Sequence, residues 1–351
     1  MPCCRASARR SQPSGQTGFV LPGVLAFIAA FTFIILTTAV TLERSRNLAV
    51  ALERQQQLVA ALDAAEAEAT YLYMTGRGVV DAIELLPRER AVTDIVLGQF
   101  QSPPPEEEEE AEALVVWPAT GGLLLLDEAP YRTWAIYRDV SGLLSLSSGR
   151  AEIISDFLEE FDVDSSEADQ LAARLRDYQD EDRLRRPLGA ERADYRLRQM
   201  ALPTDSPLRN PAELARVMGW EDLDFINDLE FLAHVTAAMT GDQPVLGFAP
   251  DRLKLILANQ PVRDASQIDP LTLAANLSLV PRNRARFTLF AQDISTGELK
   301  VRLVEIERQP GAATAPYSRS FIAEFTDPFV PESWFPPADA QVAFPPQPED
   351  L

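Results

Sequence analysis

The chain has 351 residues, a formal net charge of −21 and 46% hydrophobic residues, enough for a membrane helix and one or two globular units. So acidic a surface repels nucleic acid, whose phosphates need Lys and Arg partners, and no nucleic-acid partner is expected. The two cysteines, Cys3 and Cys4, are adjacent near the start, which excludes a disulfide framework, thiol catalysis and a zinc–thiolate site from the rest of the chain.

Residues 1–18 carry three charges, Arg5, Arg9 and Arg10, all positive. Positive flanks stay cytoplasmic, so the expected orientation is N-terminus inside and the bulk of the chain in the periplasm. The polar segment SQPSGQTG precedes the apolar run, the reverse of an ordinary secretory signal. The run itself, GFVLPGVLAFIAAFTFIILTTAVTL (Gly18–Leu42), has no charge over about 24 residues, enough to cross a bilayer core of roughly 30 Å as a helix. Pro22 sits near the helix start, where its missing N–H costs little. From Val24 to Thr75 there is no Gly and no Pro. An uninterrupted helix over that stretch is about 78 Å long at 1.5 Å per residue. Beyond Glu43, Leu48, Leu52, Val59, Leu62, Ala65, Ala69 and Leu72 recur at helical spacing and predict one face packed on a soluble domain.

Gly76 and Gly78 are expected to end the helix. Pro103–Pro105 followed by Glu106–Glu110 reads as a solvated loop, since like charges repel and prolines do not pack. Leu114–Trp117, Gly122–Leu126 and Trp134–Val140 read as strands. A helical stretch follows. Ile153, Ile154, Phe157, Leu158 and Phe161 share one face, and Ser166 with Asp169 is read as the cap of a helix carrying Leu171 and Leu175. Asn210–Pro211 starts another helix and Gly219 stops it. Phe225–Thr240 and Pro250–Asn259 are also read as helices. Strands return at Arg286–Asp293 and Leu299–Arg308, joined by a turn at Ser295–Gly297. Alternation of Phe321, Ala323 and Phe325 marks a last strand. The segment after Thr326 holds seven prolines. Its aromatic residues Phe329, Trp334, Phe335 and Phe344 are candidates for anchoring an otherwise extended tail.

Asp177, Asp180, Asp182 and Glu191 are the candidate chemical cluster. Paired carboxylates serve glycoside hydrolysis, several oxygens together suit calcium, and the same groups also make a charged surface with Arg174, Arg176, Arg183, Arg185 and Arg186. The single histidine, His234, lies in FLAHVT. There is no G-x-S-x-G turn for it to serve and no phosphate-binding G-x-x-x-x-G-K loop. Ala212–Gly219 is similar to helix-hairpin-helix DNA modules, but the acidic balance points such a hairpin toward protein contacts.

The polar-then-apolar start resembles the leader of type IV pilins and type II secretion pseudopilins. The resemblance implies cleavage by a prepilin peptidase between Gly18 and Phe19 and methylation of the new amine. Most such helices carry Glu at the fifth mature position; Gly23 stands there, which the resemblance associates with the K-type subunit. Three further stretches resemble the general secretion pathway protein K family: DVSGLLSLSSG (Asp139–Gly149), LRDYQDEDRLRRPLGAERADY (Leu175–Tyr195) and NPAELARVMGWEDL (Asn210–Leu223). Its aromatic-acidic run falls on Asp177, Tyr178, Asp180 and Asp182, with Tyr178 in place of Trp. Its GAE-x-x-x-Y element falls on Gly189, Ala190, Glu191 and Tyr195, and its EL-x-x-V-x-G segment on Glu213, Leu214, Val217 and Gly219, with Met218 just before the glycine. Near the place of the family's later asparagine-rich element stands GFAPDRLKLIL.

The resemblance implies an α+β, type IV pilin-like fold: a long N-terminal helix packed on a small antiparallel sheet, with a large helical insertion. The expected segments are a leader at 1–18, a transmembrane half-helix at 19–42 and the amphipathic half-helix with the first strands at 43–145. The helical insertion at 146–280, the C-terminal strands at 281–326 and the Pro-rich tail at 327–351 follow. It further implies an inner-membrane, non-enzymatic minor pseudopilin at the tip of the pseudopilus. Its partners would be the I-type and J-type minor pseudopilins, with calcium in some members, here on Asp177, Asp180, Asp182 and Glu191. The alternative is a single-pass membrane-anchored envelope binding protein or hydrolase.

Overall fold

The computed structural model describes residues 20–85, 115–258, 283–309 and 315–343. The expected leader with Gly18–Phe19 and the Pro103–Glu110 run lie outside the described residues, as do Leu114, Asn259 and Phe344.

Helix α1 spans Val20–Thr75 without a break; Pro22 and Gly23 fall in its first turn, and the stretch free of helix breakers from Val24 onward is helical as predicted. The chain divides into two units at Gln57–Leu58, inside this helix. In the first unit, residues 21–57 are exposed throughout, and the apolar run is long enough to cross a membrane. Thr32, Thr37, Thr38 and Thr41 donate their hydroxyl protons to carbonyls three or four residues back, so these polar groups are satisfied without water. Leu48 and Leu52 are exposed, so the buried stripe begins at Leu58, later than the spacing predicts.

In the second unit, Leu58, Leu62, Ala65, Ala69 and Leu72 step by four and three residues and are fully buried or nearly so. Each leucine contributes about 2 kcal/mol by its removal from water. The Gly76 N–H donates to the Leu72 carbonyl at 2.8 Å, which closes the helix. A Cβ at Gly76 would overlap Ile83 and the Leu72 carbonyl. Gly78 lies one step beyond the stop, in strand β1 (Arg77–Val79), which pairs with β2 (Ala82–Leu85) and then β3 (Val115–Pro118).

The main sheet has five antiparallel strands: β4 (Thr120–Asp127), β5 (Tyr131–Asp139), β8 (Arg284–Asp293), β9 (Leu299–Arg308) and β10 (Tyr317–Thr326). Their order is β10-β9-β8-β5-β4. The central strands are buried along nearly their whole length because both faces are covered. Side chains alternate between the two cores. Ala135, Tyr137, Phe287, Leu289, Val304 and Ile306 pack with the α1 stripe. Trp134, Ile136, Phe290, Val301 and Leu303 pack with the helical segment that interrupts the sheet between β5 and β8.

That segment contains β6 (Leu144–Ser145), α2 (Ala151–Glu159), α3 (Ser165–Gln179), α4 (Arg192–Leu197), α5 (Leu229–Leu232), β7 (Val235–Thr236) and α6 (Asp251–Ala258). The α3 cap is Asp164, whose carboxylate accepts from the Ser166 N–H at 3.0 Å; Ser166 lies inside the helix. Asn210 caps as expected, its side-chain oxygen accepting from the Ala212 N–H at 2.8 Å, but it opens a 3-10 turn, Pro211–Arg216, and no α-helix. Phe225–Thr240 also departs from expectation: it is a 3-10 turn, the single turn α5, and β7. Long-range bonds decide this. β7 pairs in parallel with β6, and the Leu232 and Val235 carbonyls accept from Arg286 at 2.7 and 2.9 Å.

In β10 a bulge between Phe321 and Ala323 shifts the register, leaving Phe321 exposed and Ile322 buried. The tail is anchored through Ala343. Trp134 donates its indole N–H to the Trp334 carbonyl at 2.8 Å, and the tilted Phe335 ring lies with its centroid 5.5 Å from that of Trp134. The Ala343 N–H donates to Leu125 at 2.9 Å, whereas Phe329 is 84% exposed.

Candidate functional site

Three of the four sequence-selected carboxylates meet where α3 ends. Oxygen atoms of Asp180, Asp182 and Glu191 lie within 4.8 Å of one another. The local chain explains the meeting. The helix stops at Gln179, whose side chain is buried and bonded to the Leu146 carbonyl at 2.9 Å and the Leu208 N–H at 3.1 Å. The strand-like Asp180 then leads into a loop. Leu188, at φ +67°, turns that loop back, and Glu191 opens α4 with its N–H donating to Asp194 Oδ2 at 2.9 Å.

Asp177 has a different role. Its carboxylate is fully buried and accepts from the Arg186 backbone N–H at 3.2 Å and from the Arg186 guanidinium at 2.8 Å. The same guanidinium also meets Asp180. A Cβ at Gly189 would stand 2.0 Å from Asp177 Oδ2, so only glycine fits against this carboxylate. The expected arginine-rich surface thus contributes one cation, Arg186, to the acidic cluster itself. Arg192 pairs with Asp205, and Arg185 with Asp194 at 3.6 Å.

Two oxygens in the cluster, Asp180 Oδ1 and Glu191 Oε1, are buried and lack a hydrogen-bond donor. Glu191 is 8% exposed. Burial first, and then the charges of Asp177 and Asp180, raise its pKa above the ordinary glutamate range. Burial also raises Asp177, against the lowering pull of Arg186. Orphaned acceptors among crowded carboxylates are the environment that a hard, oxygen-seeking divalent cation relieves.

The surrounding core brings the other sequence elements together. Tyr178 and Tyr195 have ring centroids 6.1 Å apart. The Tyr195 hydroxyl accepts from the Met218 N–H at 3.0 Å, and burial pushes its pKa up to about 12. Ala190, Leu214, Val217 and Trp220 complete the same core. Gly219 is needed for its backbone: φ is +89°, and a Cβ there would press on Arg174.

His234 belongs to neither cluster nor helix. Its Nδ1 lies 2.6 Å from the Glu230 carbonyl, so that nitrogen carries the proton. Burial lowers its pKa to about 4, leaving the ring neutral near pH 7. The sequence reading missed the buried pair Arg286–Glu305, at 2.5 Å, which joins β8 and β9 to the helical segment. An arginine and a glutamate inside otherwise apolar strands were the available signal.

Residues 139–230 match the family model for type II secretion system protein K. No curated protein sequence matches the chain. Among solved structures, it is similar to a chain of the GspK-GspI-GspJ complex of the type II secretion system from enterotoxigenic Escherichia coli. The identity is 15%, the TM-score 0.44, and the alignment covers 78% of this chain and 98% of that one.

Proposed function

From the match of residues 139–230 to the family model for type II secretion system protein K, we propose that the chain is a minor pseudopilin at the tip of a pseudopilus. The observation that carries this reading is where the family domain sits. It begins at the last residue of β5 and takes up the first part, residues 139–230, of the segment that leads to β8, the neighbour of β5 in the sheet. Within the second unit the sheet and the part of α1 from Leu58 onward thus form one frame, and the family domain is a bulky insertion on the face away from the buried stripe.

A subunit so built suits the end of a fibre. The apolar turns of α1 lie in the inner membrane with the N-terminus cytoplasmic, and the second unit lies in the periplasm. Gly23 leaves the apolar run without a buried acid. A lone carboxylate there costs about 2.5–3.5 kcal/mol on insertion scales and needs a partner amine. A chain lacking it has no such bond to make with a subunit above it, which fits the outermost position. In this reading I-type and J-type minor pseudopilins are its partners, the complex starts assembly, and the growing fibre supports export of folded proteins. The role is structural and not enzymatic.

We infer that calcium binds at Asp180, Asp182 and Glu191, because their orphaned oxygens fit a divalent cation. Asp177 holds Arg186 in place beside them. The ion would tie the loop after α3 to the start of α4 and steady the insertion.

The N-terminus tests the assignment. Mass spectrometry of the protein from membranes is expected to find a chain beginning at methylated Phe19, and Gly18→Ala is expected to block that maturation. A chain retaining Met1 contradicts the reading.

A further inference from the structure

Strands β5 and β8, the turn after α5 and the tail enclose a cavity of about 60 Å³. Its wall includes Arg138, His234, Arg286, Thr288, Ser333 and Trp334. The charges on it do not balance. The guanidinium of Arg286 is neutralised by Glu305. His234 is neutral. Arg138 has no carboxylate within ion-pair distance among the described residues, and its one hydrogen bond there runs from Nη1 to the Phe248 carbonyl at 3.1 Å. The nearest acid to influence it, Asp251, is 77% exposed and bonded to Lys254. Partial burial lowers the Arg138 pKa to about 10.

The backbone is shaped to admit this side chain. Gly121, at φ +107° beside the bulge in β4, lies so close that a Cβ would stand 2.3 Å from Arg138 Nη2. In a chain of net charge −21, a half-buried guanidinium thus lines the cavity, with Nη1 its one bonded nitrogen among the described residues. Half-buried and without a carboxylate partner among the described residues, this cation keeps only part of its hydration, and an anion seated in the cavity would supply the counter-charge.

We propose that this cavity is a binding site for one small tetrahedral oxyanion of the phosphate or sulfate class. The volume has room for roughly four or five water-sized groups, which is the heavy-atom count of such an ion. The free edge of Arg138 presents the planar fork that pairs with two oxygens. Thr288 on β8 and Ser333 on the tail line the same cavity and carry hydroxyl donors. The bound ion would hold the tail segment at Ser333 and Trp334 against the sheet.

The test uses the detergent-solubilised full-length protein, exchanged into buffer free of phosphate and sulfate. His234 is the sole histidine, so a carbon-13 histidine label gives one reporter inside the cavity wall. Inorganic phosphate or sulfate is expected to shift the His234 resonances saturably. At about 100 times the dissociation constant, it should also raise the thermal midpoint by about 5–10 °C. Arg138→Gln is expected to lose both responses. Thr288→Val retains the charge and is expected to weaken half-saturation several-fold; it decides the matter if Arg138→Gln does not fold. Acetate separates a planar carboxylate ligand from a tetrahedral one. The proposal is overturned if neither phosphate nor sulfate gives a saturable response, or if acetate alone does. An undiminished response in Arg138→Gln, or in Thr288→Val where that variant decides, also overturns it.

Discussion

The buried Glu305 carboxylate joins the sheet to the inserted segment, and removing its charge is a severe test of how the two are held. Glu305 accepts from Arg286 Nη2 at 2.5 Å, Arg284 Nε at 2.9 Å and the Thr236 hydroxyl at 2.8 Å. Arg286 in turn donates to the Leu232 and Val235 carbonyls, which end the single turn α5 and begin β7. Burial pushes the carboxyl up, but Arg286 and Arg284 pull harder, and its pKa falls below the ordinary glutamate range. A lowered carboxylate contributes stability above its unfolded pKa and loses it as pH falls through the folded one. Glu305→Gln keeps the shape and leaves Arg286 buried without a counter-charge. Breaking such a pair costs about 3–5 kcal/mol, which lowers the thermal midpoint by roughly 6–15 °C in a unit of this size. Circular dichroism melts of the solubilised protein read this directly. The double replacement Arg286→Leu with Glu305→Leu should recover part of the loss, since two apolar groups leave no orphan charge. A Glu305→Gln midpoint within about 1 °C of the wild type, where surface changes ordinarily fall, would refute the reasoning.

Two further predictions concern the acidic cluster. Calcium is expected to raise the thermal midpoint of the wild type, and calorimetry of Asp180→Ala and Asp182→Ala should show at least a tenfold loss of affinity, about 1.4 kcal/mol; unchanged affinity eliminates the site. The pH dependence should invert with the ion. Without calcium, the raised Glu191 and Asp177 carboxyls make the folded state hold protons more tightly than the unfolded one. Stability then falls as pH rises through the window above the ordinary carboxylate range and is regained on acidification. With calcium the carboxylates must be ionised, so acidification through the same window should cost stability. Parallel melts in chelator and in calcium that show the same slope would contradict the assignment.

The framework of the fold was legible because it rests on periodic patterns. The unbroken run from Val24 to Thr75 is helical, and the strands placed at Trp134–Val140, Arg286–Asp293 and Leu299–Arg308 are found with their ends within three residues. What failed was structure fixed by distant partners. Phe225–Thr240 has helical spacing, but β6 and the Arg286 donors claim its backbone. Leu48 and Leu52 match the helical stripe yet stay exposed, because burial depends on what lies opposite. At the cluster, the sequence grouped four acids but could not separate their roles: the oxygens of three converge, and the fourth, Asp177, stands apart. Asp177 is taken by Arg186 because the loop returns nine residues later, and only the fold shows that return. Nothing local marked Arg138 as a cation without a counter-charge.

The measurement that bears most directly on the central claim is co-purification of the full-length chain with candidate I-type and J-type minor pseudopilins from the same membranes. The mass of the assembly would be read by native mass spectrometry. A complex containing one copy of each of the three is the expected result. A chain that remains alone, with both candidates present, processed and folded, would contradict the account.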